Sequence, residues 1–324
     1  MSETYFPDII GQNRVKKALG FYIDGYQETN CIPHLMFTAP RGCGKTTMAT
    51  AMAKNLVGPD GAIKPLITIN CSTIKSLKQF FNMIVIPHMV ERDATVLFDE
   101  CSELPKDVTM ALLTITNPNP ENQNEFSYED YNVVFDFRRL SFMFATTEGQ
   151  SIFHALMDRM ERIDLEEYKL DELGKIVLLG LDGYTVEQKT LESISNVLRG
   201  NARAGQKMAM KMRLYLDAKG QTHFADKDWK ELMDKLGILP LGISVQELNL
   251  MRYMARKKAT RLTELAAITG LSKGAIQKDY ELYLSKMGLM EIQPEGRSLT
   301  TKGLEYLNDL DGVKKNKSNK ASKK

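Results

Sequence analysis

The sequence predicts an α/β chain: a parallel-sheet domain built on a phosphate-binding loop, then a small all-helical domain, then a winged-helix domain. Three observations carry this. The first is Ala39-Pro40-Arg41-Gly42-Cys43-Gly44-Lys45-Thr46, with the apolar Leu35-Met36-Phe37 before it and a helix-forming run from Thr47 to Ala53 after it. The second is the alternation of strand-type and helix-type segments as far as residue 165. The third is a helix-helix-helix-strand-strand pattern between residues 245 and 300.

Taken in order, the chain opens with Asp8-Ile9-Ile10-Gly11-Gln12 and becomes a helix with Val15, Ala18, Leu19 and Tyr22 on one face. Residues 34–38, 66–70, 94–98, 141–145 and 162–165 read as strands, and the helices between most of them imply a parallel sheet. Asn117-Pro118-Asn119-Pro120 stops the helix of residues 105–116. Phe126-Ser127-Tyr128 and Val133-Val134-Phe135-Asp136-Phe137 then pair as a hairpin inserted near residues 118–139. Residues 168–238 carry helical patterns only. A new unit begins after Gly242. Val245 to Met254 and Leu262 to Thr269 are helices, the second closed by Gly270. Ser272 caps a third, whose apolar face is Ile276, Tyr280, Tyr283, Leu284 and Met287, and Gly288 ends it. Met290-Glu291-Ile292 and Ser298-Leu299-Thr300 make a two-stranded wing around residues 293–297. The expected domains are therefore 1–165, 166–242 and 243–312, with a disordered lysine-rich tail at 313–324.

The loop at residues 39–46 has a clear chemical meaning. Backbone N–H groups of a strand-loop-helix turn converge on a phosphate, helped by the dipole of the helix that follows. Lys45 adds a point charge toward the outer phosphates of ATP, and the Thr46 hydroxyl is a ligand for Mg²⁺. The motif usually begins with glycine, and Ala39 fits if that position does not need a positive φ. Downstream, the β-type run Ala94 to Phe98 is closed by Asp99-Glu100. An acid at the end of a parallel strand sits beside the phosphate loop, so Asp99 is expected to hold Mg²⁺ and Glu100 to activate water. Read alone, Asp99-Glu100-Cys101-Ser102-Glu103 would be an ordinary acidic turn; the loop upstream gives it a catalytic reading.

Composition narrows the function classes. With 43% apolar residues, the chain can bury a core, and no apolar run approaches the ~20 residues of a membrane span. With no signal peptide opening the chain either, a cytosolic protein is expected. Cys31, Cys43, Cys71 and Cys101 lack C-x-x-C spacing and read as reduced thiols, not metal ligands. Net charge is +2, but Lys314, Lys315, Lys317, Lys320, Lys323 and Lys324 supply six positive charges, which leaves −4 for the remainder. Contact with nucleic acid must then come from local patches or from the tail, which reads equally well as a solubilising end.

Over residues 6–307 the chain resembles the RuvB family, hexameric AAA+ motors that drive branch migration of Holliday junctions. The carrying segments keep the family's order. Ile10-Gly11-Gln12 resembles the opening of the nucleotide pocket, and Gly44-Lys45-Thr46-Thr47 the end of the phosphate loop. Ala145-Thr146-Thr147 resembles sensor 1, which places Thr147 near the γ-phosphate. Leu156-Met157-Asp158-Arg159-Met160 resembles the segment that supplies the arginine finger to a neighbouring subunit, with Arg162 as the nearby alternative. Leu165-Glu166-Glu167-Tyr168 resembles the segment whose tyrosine lies against adenine. Arg199-Gly200-Asn201-Ala202-Arg203 resembles the sensor 2 segment, with Arg203 as the sensor, and Pro294 to Thr300 resembles the DNA-contacting wing.

The resemblance implies an ATP-driven, Mg²⁺-dependent motor, assembled as a homo-oligomeric, hexameric ring that acts on four-way junctions or duplex arms. Arg297 on the wing, Arg256, Lys257 and Lys258 are the expected DNA contacts, and the hairpin at 126–137 stands where the family docks its RuvA partner. The chain departs from the family at Ala39, at Cys101-Ser102, at Met157 and at Glu295, which replaces a wing arginine, and its hairpin is aromatic and acidic. Two other readings keep the nucleotide chemistry. One is a clamp-loader-like ATPase, which would end in a helical collar instead of a wing; the other is an ATP-dependent DNA-binding switch that does not translocate.

Overall fold

Five short segments form a sheet whose three central strands are apolar on both faces, as strands covered on both sides must be, while the two edge strands carry polar residues. In the computed structural model, which describes residues 5–152 and 154–321, these are β1 (Leu35–Thr38), β2 (Leu66–Asn70), β3 (Ala94–Asp99), β6 (Leu140–Thr146) and β7 (Glu161–Asp164). Between β3 and β6 lies the hairpin of β4 (Gln123–Tyr128) and β5 (Tyr131–Asp136). The sheet order is β2-β3-β6-β1-β7, parallel throughout. Successive side chains point to opposite faces. Met36, Val96, Phe98, Phe142 and Phe144 therefore pack in one buried cluster, and Leu35, Phe37, Leu97, Met143 and Ala145 in another.

The helices supply the other half of each cluster. In α1 (Asn13–Thr29) the buried stripe is Val15, Leu19, Ile23 and Tyr26. The expected face is corrected at two positions: Ala18 is exposed and Tyr22 only half-buried, because the helical repeat carries the stripe to Ile23 and Tyr26. α2 (Lys45–Ala53) buries Met48, Ala49, Met52 and Ala53, and α3 (Lys106–Ile115) buries Val108, Ala111, Leu112 and Ile115. The hairpin turns at Glu129-Asp130, and its inner face joins the core. Val133 and Phe135 are buried, and Phe81 stacks on Tyr128 at 4.6 Å and on Phe126 at 5.3 Å. Its outer face, with Glu125, Ser127, Asn132 and Val134, is exposed.

After a short helix α4 (His154–Met157) and β7, helices take over: α5 (Leu170–Leu179), α6 (Gln188–Asn196), α7 (Ala202–Lys219) and α8 (Asp226–Leu236). The expectation of helices alone misses one pair, β8 (Thr185–Val186) with β9 (His223–Phe224), which is parallel and too short to leave a periodic signal. Contacts divide the chain into units Met1–Trp229 and Lys230–Lys324.

The second unit contains α9 (Val245–Met254), α10 (Leu262–Thr269) and a third helix in three consecutive pieces, Lys273–Ala275, Ile276–Glu281 and Leu282–Lys286. Ser244 and Ser272 cap the first and third of these through their side chains. Leu248, Met251, Met254, Leu265, Ile276, Leu284 and Leu289 form its core. The wing strands are β10 (Met290–Gln293) and β11 (Gly296–Leu299), so the turn is only Pro294-Glu295 and Arg297 lies inside a strand, not in the loop. Gly296 allows this: its φ is 148°, and a Cβ there would fall 2.6 Å from the Thr260 carbonyl oxygen. Thr260 and Arg297 exchange two backbone hydrogen bonds of 2.8 Å. The last helix is Thr301–Ala321, which runs on past residue 312 into the lysine-rich end, and residues 322–324 of the expected tail lie outside the described residues.

Candidate functional site

The C-terminal ends of β1, β6 and β3 lie side by side, which sets the site. Thr38 is opposite Thr146, and Asp99 is opposite Ala145, so the loop after β1, Thr147 after β6 and Asp99-Glu100 after β3 converge. They line a cleft of 630 Å³ with Ile10, Arg41, Gly42, Gly44, Lys45, Thr46, Thr47, Tyr168 and Arg203. Segments spread over nearly 200 residues of sequence are thus gathered into one place, and Asp8, Ile9, Ala202 and Gln206 join them. Pro40 and Cys43 belong to the loop but do not line the cleft; Cys43 is buried beneath it.

The loop geometry follows from its glycines. Gly42 and Gly44 have φ of 78° and 89°, whereas Ala39 is not among the positive-φ residues, so alanine fits at that position without strain. A Cβ on Gly44 would come 2.9 Å from the Tyr168 hydroxyl. Gly44 caps α2 without a side-chain bond, which leaves the first N–H groups of that nine-residue helix to serve an anion. Lys45, the first residue of α2, turns its Nζ back to the carbonyl oxygens of Ala39 at 2.9 Å and Pro40 at 3.2 Å. Burial lowers the pKa of this ammonium, and Arg203 adds to that; Glu100, Cys43 and Asp99 oppose it.

Thr46 and Asp99 are tied together. The Thr46 hydroxyl donates to Asp99 Oδ2 at 3.0 Å, and the Glu100 N–H donates to Asp99 Oδ1 at 3.0 Å. A hydroxyl and a carboxylate held at hydrogen-bond distance at the foot of a phosphate cradle form a donor set that suits Mg²⁺. Glu100 itself stands in the left-handed region, at φ 54° and ψ 47°, which a non-glycine residue adopts at a cost of about 1 kcal/mol or more. That conformation turns the chain sharply away from the strand and leaves the carboxylate at the cleft wall.

The helical segment closes the cleft by main-chain contacts. Ala202 and Arg203 donate their N–H groups to the Gly42 carbonyl, and the Asn201 side chain donates to the Arg41 carbonyl at 3.0 Å. Asn201 also caps α7 by accepting from Ala204. Gln12 holds the opposite wall: its amide donates to the Glu166 carbonyl at 2.6 Å and accepts from the Glu166 N–H at 3.1 Å. This pair of hydrogen bonds fixes the chain that leads to Tyr168, whose phenol is pushed upward in pKa by burial first, then by Cys43 and Glu172. Gln12 and Asn201 stood inside the segments that resemble the opening of the nucleotide pocket and the sensor 2 stretch, but neither was given a role of its own.

Arg159 stands apart. It lines a separate cavity of 280 Å³ with Asn117, Asn119, Asn122, Asn124 and His34, not the nucleotide cleft of its own chain. Its guanidinium donates to the Ala155 carbonyl and to Asn117 Oδ1 at 3.2 Å. Arg162, the alternative finger, is paired with Asp164 at 2.7 Å on its own strand.

In the second unit the expected DNA contacts differ in freedom. Arg297, expected as the wing's phosphate contact, has a side chain only 14% exposed and bidentate to Glu281, because a two-residue wing turn places it within β11, facing the third helix. Lys257 pairs with Glu264 at the surface, Arg256 lies 5.3 Å from the Tyr253 ring centroid, and Lys258 is exposed.

Comparison with known proteins agrees with this architecture. Residues 35–168 match the family described as ATPase family associated with various cellular activities (AAA), and residues 240–308 match the RuvB C-terminal winged helix domain. The chain is 24% identical over 319 residues to the Holliday junction branch migration complex subunit RuvB of Campylobacter hominis, covering 94% of this chain and 89% of that protein. It is 22% identical over 320 residues to the same subunit of Sulfurimonas denitrificans, covering 93% and 89%. Among solved structures, the Thermotoga maritima RuvB Holliday junction branch migration motor superposes with a TM-score of 0.73 at 22% identity, covering 92% of this chain and 95% of that one. A point mutant of the same protein gives 0.75 at 22% identity, covering 94% and 97%.

Proposed function

The chain is a divergent member of the RuvB family of AAA+ ATPases, and from that premise we propose that it is an ATP-driven motor that moves branched DNA. The observation that carries this is the single cleft in which Lys45, Thr46, Asp99, Glu100, Thr147 and Arg203 meet, in a chain whose other unit is a RuvB-type winged helix.

In this reading the loop N–H groups and Lys45 bind the outer phosphates of ATP, and Ile10 and Tyr168 enclose the base. Thr46 and Asp99 would hold Mg²⁺, which when bound neutralises charge on the phosphates. Glu100 accepts the proton of the attacking water, and Thr147 orients that water near the γ-phosphate. Arg203 contributes charge from the chain's own helical segment, while Arg159 serves the ATP of the next subunit in a homo-oligomeric ring, hexameric as the resemblance implies. Arg159 lining a cavity separate from its own cleft supports that division. An arginine supplied across an interface makes hydrolysis depend on the ring being closed.

DNA is held through phosphates by Arg256, Lys257 and Lys258 and by the lysine-rich end, with Arg297 shaping the wing from inside. The exposed outer face of the hairpin is the docking place for a RuvA-like partner, whose surface would have to answer Glu125, Glu129 and Asp130 with positive charge. Work on junction DNA would place the chain in the bacterial cytosol; separately, among the described residues no helix is long and apolar enough to cross a membrane.

The test is a fluorescent four-way junction incubated with the chain, ATP and Mg²⁺, with arm exchange followed in real time. Exchange that requires hydrolysable ATP supports the motor. Binding with ATP turnover but no exchange would instead make the protein a nucleotide-dependent DNA switch.

A further inference from the structure

The root of the hairpin is an asparagine knot. Asn124, on β4, donates its Nδ2 to the carbonyl oxygens of Ile115 and Asn117, each at 2.8 Å. Asn119 donates to Asn124 Oδ1 at 2.7 Å and to the Gln123 carbonyl at 2.9 Å. The Phe137 N–H, just past β5, donates to the Asn122 carbonyl at 2.8 Å. Both ends of the hairpin are thus tied to residues 115–122, and the tie to Asn117 uses its main-chain oxygen.

The side chain of Asn117 does something else. Its Oδ1 accepts from Arg159 Nη2 at 3.2 Å, and the Ala155 carbonyl takes Nη1, leaving Arg159 Nε buried without an acceptor among the described residues. A guanidinium on a flexible stem has many rotamers, and two acceptors on different segments select one. The Ala155 bond lies within Arg159's own helical turn and moves with it. Among the described residues, Asn117 alone refers the guanidinium to the rest of the domain by a hydrogen bond.

We propose that Asn117 is a positioning residue that aims the Arg159 guanidinium for its role across the subunit interface, with the hairpin root setting where Asn117 stands. This rests on the reading of Arg159 as the finger. The position suits the role because its two functions use different atoms. Asn117 is exposed, so truncating it costs the fold little, and the carbonyl that anchors the hairpin survives any side-chain change.

The experiment compares ATP hydrolysis by the full chain with Asn117→Ala, Asn117→Asp, Arg159→Ala, Arg159→Lys and the Asn117→Ala/Arg159→Lys pair, using single-turnover rates to reach slow variants. Asn117→Ala should lower the rate at saturating ATP roughly tenfold, with nucleotide affinity and thermal midpoint unchanged. Asn117→Asp keeps an accepting oxygen in place and should recover most of the rate. With Arg159→Lys the guanidinium fork is gone, so Asn117→Ala should then cost nothing further. A wild-type rate for Asn117→Ala beside a dead Arg159→Ala would overturn the positioning role alone. An equal loss from Asn117→Ala in both backgrounds would overturn it too, in favour of a purely structural residue. A wild-type rate for Arg159→Ala would remove the finger reading itself, and the inference with it.

Discussion

Arg297 and Glu281 face each other across the winged unit through two hydrogen bonds, Nε to Oε1 at 2.8 Å and Nη2 to Oε2 at 3.2 Å, with side-chain exposures of only 14% and 7%. The pair joins the wing to the third helix, and the backbone of the same arginine joins the wing to Thr260. A cation held this way shapes a DNA-binding surface more than it extends one.

Arg297→Ala should therefore unfold the winged unit more easily. It strands a buried carboxylate, and breaking a buried pair costs on the order of 3 kcal/mol. Replacing both partners with apolar residues, Arg297→Met with Glu281→Leu, should return most of that stability. Thermal unfolding of the full chain decides the matter. An unchanged midpoint for Arg297→Ala, together with a DNA-binding salt dependence shallower by about one counterion, would restore the arginine to the phosphate contacts.

Glu100→Gln should abolish ATP hydrolysis and leave nucleotide binding intact, since the amide keeps the shape but cannot take a proton. Lys45→Ala should instead weaken binding of the triphosphate, because its ammonium, held against the Ala39 and Pro40 carbonyls, puts a cation at the helix end of the loop. Titration with a fluorescent ATP analogue beside a phosphate-release assay separates the two effects. Turnover at the wild-type rate in Glu100→Gln would move the general base elsewhere.

Mixing Arg159→Ala subunits with Lys45→Ala subunits should recover part of the hydrolysis that each lacks alone. Some interfaces in a mixed ring pair a normal cleft with a normal finger. Co-assembly must be verified by light scattering. Verified mixed rings that stay inactive would place Arg159 outside its neighbour's site.

How legible each feature was follows from the range of the interaction behind it. Gly42, Gly44, Lys45 and Thr46 sit in one short string between a strand and a helix, and Asp99-Glu100 ends an apolar run, so local sequence carries their meaning. The left-handed conformation of Glu100 left no trace, because any residue type can be forced there by what surrounds it. The buried setting of Arg297 was not legible, for two reasons. Its partner Glu281 is sixteen residues away on another element, and the wing turn is two residues long where five were expected. Gln12 and Asn201 act by holding backbone carbonyls of distant segments, which no pattern within their own segments reveals.

His34 gives the first unit a pH dependence of definite sign. Its Nδ1 is buried without a partner among the described residues, its ring stands edge-on to Phe137 at 4.5 Å, and burial lowers its pKa from 6.5 to about 4. The fold thus holds the neutral imidazole while the unfolded chain takes up a proton below pH 6.5. Stability from this group is fully present above pH 6.5 and is lost as pH falls toward about 4. By pH 5 the loss should reach roughly 2 kcal/mol. His34→Phe keeps a planar ring against Phe137 and removes the titration. Its stability should fall less steeply than that of the wild type between pH 6.5 and 5, as read by urea unfolding at each pH. Parallel curves for the two proteins would mean that the imidazole finds an acceptor or water when protonated, and that its burial carries no linkage.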